Sequence, residues 1–383
     1  MNTKARVIAF YLPQFHPVKA NDKYWGKGFT EWTNVAKAKP LFRGHYQPQI
    51  PADLGFYDLR LPEVREAQAE MAKDCGIEGF CYWHYWFGNG ERVLERPFNE
   101  VLQTGSPDFP FCIGWANHSW SNKTWIKNKM FQKDTMIFEQ KYPGKDDYIA
   151  HFYDVLPAFK DKRYIKVDGK PLFLVFSPED IPDNDLFLSI WRKLAEENGL
   201  EGIYFVARVS ATGRFSLTNF DYTTIVNDRY NKVLEIGYDA INSDTTRYAE
   251  IIVEGTYKKM IRAGLARMGI DLVYRYDYKA LRKHFFLPVE KEVNVHPQIV
   301  PRMDRTPRAG KAARIYVNST PDEFEKAIKD AIRQIEHKDP EHRILFLTSW
   351  NEWGEGNYME PDLKYGHGYL DALKNVIFSS ENH

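Results

Sequence analysis

A (β/α)₈ barrel is the fold this sequence predicts, and three observations point to it. Short, almost wholly apolar runs recur eight times along the chain. Most are followed by a polar loop and then by a segment of helical period. The chain has 383 residues, a length that one large barrel fills and that two ordinary domains could also share.

The eight runs are Arg6 to Leu12, Ile77 to Trp86, Phe109 to Trp115, Pro171 to Phe176, Gly202 to Val209, Tyr222 to Val226, His296 to Arg302, and Arg343 to Ser349. Their unbroken apolar character is that of parallel strands covered on both faces. Helices are expected between them. In Leu61 to Lys73, Val64, Ala67 and Met71 keep helical spacing, and Pro62 stands where an early helical proline is tolerated. In Ser319 to Glu323, Thr320 is an N-cap, Pro321 takes the first helical position and Glu323 completes a capping box. Behind them Phe324, Ile328, Ile332 and Ile335 form an apolar stripe. A doubly wound open sheet is the alternative architecture, but no Gly-x-Gly-x-x-Gly follows any strand.

Two connections are too long for plain barrel loops. Pro13 to Leu59, rich in Trp, Tyr, Pro and Gly, is expected to fold over the barrel mouth. Residues 230–292, between the sixth and seventh runs, read as a helical insertion subdomain inside a single catalytic domain spanning 1–383. Asp228 and Arg229 are expected to pair and hold that insertion.

Lysines plus arginines equal aspartates plus glutamates at 52 each, so no net field would hold the chain on nucleic acid or an anionic surface. A neutral partner is favoured. Aromatic residues make up 15% of the chain, including 10 Trp and 23 Tyr, more than a core of this size needs. Aromatic faces stack on sugar rings, which points to an oligo- or polysaccharide partner. Cys75, Cys81 and Cys112 are an odd number in apolar surroundings and read as reduced core thiols. Val7 to Leu12 is too short for a signal or a membrane span, and no later run approaches one, so a cytoplasmic location is expected.

The chemistry concentrates in Arg343 to Gly356, where an apolar strand runs into Ser349-Trp350-Asn351-Glu352-Trp353-Gly354-Glu355-Gly356. Catalytic groups of barrel enzymes sit at such strand ends. Glu352 and Glu355, three residues apart, can face one side after a single turn. Paired carboxylates against aromatic side chains supply what glycoside chemistry needs, one proton donor and one group that stays ionised.

These residues, followed by Met359-Glu360-Pro361, resemble the Asn-Glu-Trp-x-Glu-Gly…Glu-Pro signature of glycoside hydrolase family 99 and its WbsX-like relatives. The WbsX-like branch is closer still in Phe10 to Pro17, in Trp25 to Val35, in Gly79-Phe80-Cys81-Tyr82-Trp83-His84-Tyr85-Trp86-Phe87, in Leu94 to Pro97 and in Trp115-Ala116-Asn117. The blocks span the chain from end to end. The resemblance implies a (β/α)₈ barrel. It further implies a retaining, endo-acting α-mannosidase-like activity, or, from the label WbsX-like proteins carry, a glycosyltransferase of lipopolysaccharide or surface polysaccharide biosynthesis. By position Glu355 matches the family's general acid/base. Glu352 matches the residue that deprotonates the sugar 2-hydroxyl, whose oxygen then attacks the anomeric carbon. The chain departs from the pattern where relatives carry Trp-Ala-Asn-Glu-Asn-Trp, reading Trp115-Ala116-Asn117-His118-Ser119-Trp120 and on to Trp125. It departs again at Met303-Asp304-Arg305-Thr306-Pro307-Arg308, in place of a Trp-Asp pair.

Further candidates for substrate binding are Tyr11, His16, Trp32, His84, Trp86, Asn117, Trp120, Asp304, Asn351 and Trp353, with Trp25, Glu31 and Tyr85 beside them. For Trp32 the alternative is pinning the first long loop, and for His84 a buried ring satisfied by backbone. No His-Glu-x-x-His or Cys-x-x-Cys spacing occurs, and the proposed chemistry needs no metal or other cofactor. No Asp-x-Asp metal motif follows a strand, and the stretch Asp271 to Asp277 does not supply one. The expected function is therefore that of a retaining glycoside hydrolase or transglycosylase. The alternatives are a glycosyltransferase and a non-catalytic sugar-binding barrel.

Overall fold

The computed structural model describes residues 3–121, 136–211, 222–267 and 272–378, so Trp125 and Asp271, named above, lie outside the described residues. Eight strands alternate with eight helices: β1 (Arg6–Tyr11), α1 (Pro62–Asp74), β2 (Ile77–His84), α2 (Arg96–Thr104), β3 (Phe111–Trp115), α3 (Lys145–Phe159), β4 (Lys170–Val175), α4 (Asn184–Glu197), β5 (Tyr204–Ser210), α5 (Tyr222–Ile236), β6 (Ala240–Asp244), α6 (Thr246–Arg267), β7 (Val295–Ile299), α7 (Pro321–Ile335), β8 (Ile344–Leu347) and α8 (Gly368–Ile377). The strands pair in parallel and in sequence order, and β8 pairs with β1 to close the barrel. Phe10, Trp83 and Phe346 stack inside it, with ring centroids 4.7 and 5.5 Å apart.

The helices form where their patterns said, although not always on the expected face. In α7 Phe324, Ile328, Ile332 and Ile335 are buried, and Thr320 Oγ1 accepts from the Glu323 N–H at 3.3 Å. In α1 the buried residues are Arg65, Gln68, Ala69 and Ala72, while Val64, Ala67 and Met71 flank them half-buried. Gln68 takes the central place because it has buried partners, accepting from Tyr11 and donating to Glu360.

The sixth strand lies elsewhere than expected. Tyr222–Val226 opens α5, where Val226, Tyr230 and Val233 recur at helical spacing and are all buried. β6 is Ala240-Ile241-Asn242-Ser243-Asp244, which is buried along its length yet more than half polar, so apolar content could not reveal it. The insertion therefore begins after Asp244 rather than near Tyr230. It carries α6, a strand Tyr274–Asp277 and a helix Tyr278–Arg282. That strand pairs in parallel with Arg314–Val317, which follows β7, and makes a two-stranded sheet outside the barrel. Arg229 is held by Glu179 at 2.9 Å rather than by its neighbour Asp228, because adjacent positions on a helix do not face each other. All three cysteines are buried thiols. Among the described residues no helix is long and apolar enough to cross a membrane.

Candidate active site

Side chains alternate between the two faces of a strand, and that alternation decides which residues reach the barrel mouth. Phe10 and Leu12 from β1, Trp83 and Tyr85 from β2, and Ala116 and His118 past β3 all line one cavity of about 350 Å³. Gly114 stands among these inward positions without a side chain, and a Cβ there would lie 3.0 Å from the Trp83 ring. The indole takes the space the glycine leaves. Trp120, Phe176 and Arg208 extend the wall, and Arg305, Arg308, Glu352 and Glu355 complete it.

One buried guanidinium organises the charges. Arg308 Nη2 lies 2.6 Å from Glu352 Oε1, Nη1 donates to Glu355 Oε1 at 2.9 Å, and Nε donates to Glu31 Oε2 at 3.2 Å. Arg305 Nη2 is also 3.0 Å from Glu355 Oε1. Glu31 comes from the first long loop and is fully buried. It reaches Arg308 across Gly354, where any side chain would collide with both. Burial drives Glu352 up to about 8 and Glu31 to about 7, against the pull of Arg308. Glu355 is buried too, but two arginines touch it and Arg314 adds to their field, so it falls to about 2. The surroundings therefore favour the ionised form of Glu355 and the neutral form of Glu352. Across the cavity Arg208 bonds Asp244 at 2.6 Å and lies over Phe176.

Of the twelve site residues expected from sequence, Glu352, Glu355 and Trp120 line this cavity. The others do not, and each has a physical reason. Tyr11 points outward and donates to Gln68 at 2.7 Å. His84 and Trp86 share the outward phase of β2. His84 Nε2 lies 3.0 Å from His151 Nε2, where burial depresses it to about 3, and Trp86 donates to Asp147 while its ring stacks on His151. Asn117 exchanges hydrogen bonds with the backbone of Ser177, at 2.8 Å each way. His16 is buried in the first long loop. Trp32 pins that loop, donating to Tyr57 O at 2.8 Å and packing on Phe15 and Trp353. Asp304 is turned away from the glutamates and held by His45 and Gln47, each at 2.7 Å.

Asn351 and Trp353 act beneath the site. Asn351 bonds both the N–H and the carbonyl of Leu12, tying the loop after β8 to the end of β1. Trp353 stacks on Tyr358 at 3.6 Å and donates to Glu360 at 2.6 Å. Glu360 also accepts from Tyr57 and Gln68, so this buried carboxylate ties the loop after β8 to the first loop and to α1. Sequence reasoning missed Arg208 and Arg305 altogether. It placed Arg308 and Glu31 nearby without their roles. A buried arginine among several glutamates is the signal that would have found them.

Fold and family together define a glycoside hydrolase-like, carbohydrate-active barrel. The chain belongs to the family described as "Glycosyltransferase WbsX", whose profile matches residues 7–373. It is 31% identical over 376 residues to "Uncharacterized protein WxcX" from two strains of Xanthomonas campestris pv. campestris. The match covers 97% of this chain and 50% of each relative, so the chain spans about half the length of the curated relatives it matches. Among solved structures, a "Glycoside hydrolase-like protein" superposes with TM-score 0.61 at 16% identity, covering 99% of this chain and 95% of that one. A GH99 endo-alpha-mannosidase from Bacteroides thetaiotaomicron superposes with TM-score 0.51 at 15% identity, covering 98% and 96%. At these identities the likeness is one of fold.

Proposed function

We propose that this chain is a retaining, glycoside hydrolase-like enzyme that acts on an α-linked, mannose-type glycan through Glu352 and Glu355, with participation of the sugar 2-hydroxyl. One observation carries the reading: two carboxylates on one cavity wall whose surroundings drive their proton affinities apart, to about 8 and about 2. Trp83 and Trp120 offer aromatic faces to a sugar ring in the same cavity.

The resemblance gives the acid/base role to Glu355 and the base role to Glu352, whereas the surrounding charges and burial favour the reverse, an ionised Glu355 and a neutral Glu352. Glu355 cannot donate a proton while two guanidiniums hold it ionised. A sugar entering between the carboxylates must displace Arg308. As the guanidinium leaves, the proton held on Glu352 passes to Glu355, so that Glu355 can donate it to the leaving group and Glu352, now ionised, can take the proton of the 2-hydroxyl. Arg308 is thus the residue that separates the resting charge state from the working one.

The test uses Glu355→Gln and Glu352→Gln with an α-linked glycan. Each should lower the rate by about two to four orders of magnitude, and a chelator should leave the wild type active. A 2,4-dinitrophenyl glycoside, whose leaving group needs no proton, should restore the first step of Glu355→Gln but not that of Glu352→Gln. Equal restoration of both variants would refute the division of roles. A second reading, transfer of a sugar from a phosphate-activated donor, is favoured by Arg208, Arg305 and Arg308 around one cavity and by the family's description. An enzyme inert on every glycan until a nucleotide-sugar is supplied would establish it.

A further inference from the structure

Beside the cavity that holds the glutamates lies a second one of about 510 Å³, walled by the first long loop, by the outlying two-stranded sheet and by the chain after Glu355. The two are separated by a partition one residue thick. Asp304 and Gly356 face the second cavity, while their chain neighbours Arg305, Glu355 and Asn357 face the first. The Asp304 N–H donates to Glu355 O at 2.8 Å across this seam. Gly356 permits the close approach: its φ is +64°, and a Cβ would lie 2.8 Å from the Asp304 backbone.

The free charges of this cavity are of one sign. Its acidic groups are already engaged, Asp362 by Arg302 at 2.5 Å and by the Tyr358 hydroxyl at 2.7 Å, and Asp304 by His45, Gln47 and Thr306. Arg43, Arg275 and Lys364 also line it, and none of them forms an ion pair among the described residues. Arg275 instead lies over the Phe42 ring at 4.7 Å, and Lys364 over Tyr46 and Tyr365 at 5.2 and 4.6 Å. Gln49, 9% exposed, has a side-chain oxygen without a partner there. The chain as a whole is neutral, so three cations around one cavity with no ion pair among the described residues are not a reflection of general basicity. In the first cavity, by contrast, each lining arginine meets a carboxylate.

We propose that the second cavity is a subsite for an acidic sugar residue, carboxylate- or phosphate-bearing, of the same glycan whose neighbouring unit enters the first. Aromatic faces would carry the ring and the cations its anionic substituent. The proposal rests on the reading of the first cavity as a glycan site.

The test measures binding of three probes by calorimetry at low and high salt: α-1,4-trigalacturonate for carboxylate, a trimannoside capped with mannose 6-phosphate for phosphate, and the uncapped trimannoside as the neutral control. One charged probe should bind at least about tenfold tighter than the neutral one, with a preference that shrinks as salt rises. Which probe it is identifies the anion. Arg275→Ala/Lys364→Ala, at exposed positions, should abolish the preference while leaving neutral binding and the melting temperature unchanged, and Glu352→Gln should retain it. Equal binding of charged and neutral probes overturns the subsite and leaves the glycan reading standing. A preference that survives the double variant overturns it too, and moves the anion to the arginines of the first cavity. If no probe binds, both readings fall.

Discussion

Arg308 Nη2 lies 2.6 Å from Glu352 Oε1, and the contact puts a cation where, in the proposed function, a sugar ring would pass. Arg308 lowers the proton affinity of Glu352, so removing it raises that affinity further. Arg308→Gln should therefore move the acidic limb of the kcat/KM profile to higher pH, since that limb reports ionisation of the base in the free enzyme. It should also destabilise the fold by about 3 to 5 kcal/mol, because buried carboxylates lose their partner. Arg308→Lys keeps the charge but cannot fork between three carboxylates, and should fall between. An unmoved limb in Arg308→Gln would show that the guanidinium does not govern the pair.

The sugar 2-hydroxyl separates two mechanisms. If its oxygen is the attacking atom, a 2-deoxy substrate is not cleaved, and a 2-deoxy-2-fluoro sugar leaves no adduct. A conventional nucleophile would still attack through its carboxylate. Mass spectrometry of the Glu352 peptide after incubation with the fluoro sugar decides the matter, and an increase in mass would convert Glu352 to that nucleophile.

Neighbours on β2 should fail in different ways. Trp86→Ala removes a buried ring from the outer layer and should cost about 3 to 5 kcal/mol of stability. Trp83→Ala opens the cavity and should raise KM for a glycan by about tenfold or more with a smaller loss of stability. Denaturant titration beside steady-state kinetics checks both. If Trp83→Ala binds glycan normally, its face is not a sugar platform.

Stability should fall as pH rises from about 4.5 to about 8. Glu290, buried with Ser243 bonding its carboxyl at 2.5 Å, is raised to about 8. Glu31, Glu352 and Glu360 are raised to about 7 to 8 as well. Between the unfolded and folded values the folded chain binds more protons, so the stabilisation is complete below about 4.5 and is lost through about 8. Glu355, lowered to about 2, acts oppositely, with its contribution lost as pH falls from about 4.5. Melting temperatures across pH 5 to 9 should slope downward, and Glu290→Gln should flatten that slope. An unchanged slope would place the effect elsewhere.

The barrel was legible because parallel strands covered on both faces are mostly apolar, and seven of its strands fall on runs of that character. β6 does not, since Asn242, Ser243 and Asp244 are buried polar residues, the last two bonded to Glu290 and Arg208 of other elements. The glutamate pair was legible because it shares one short segment with its aromatic and glycine neighbours. Which side of each strand faces the cavity was not. A strand buried on both faces has no polar alternation to set its phase, and Tyr11, His84, Trp86 and Asn117 look as suitable as Phe10, Trp83, Tyr85 and His118. The charged frame was hidden for a different reason: Glu31, Arg208, Arg305 and Arg308 are scattered along the chain and meet only in three dimensions.

The ion pair between Glu31 and Arg308 joins positions 277 residues apart, which fixes when the charged cluster can exist. A growing chain that has emerged only through β6 carries Glu31 without the cation and carboxylates that surround it. Closing β8 against β1 brings Glu352 and Glu355 to Arg308, so the cluster is complete only once that last strand of the barrel is in place.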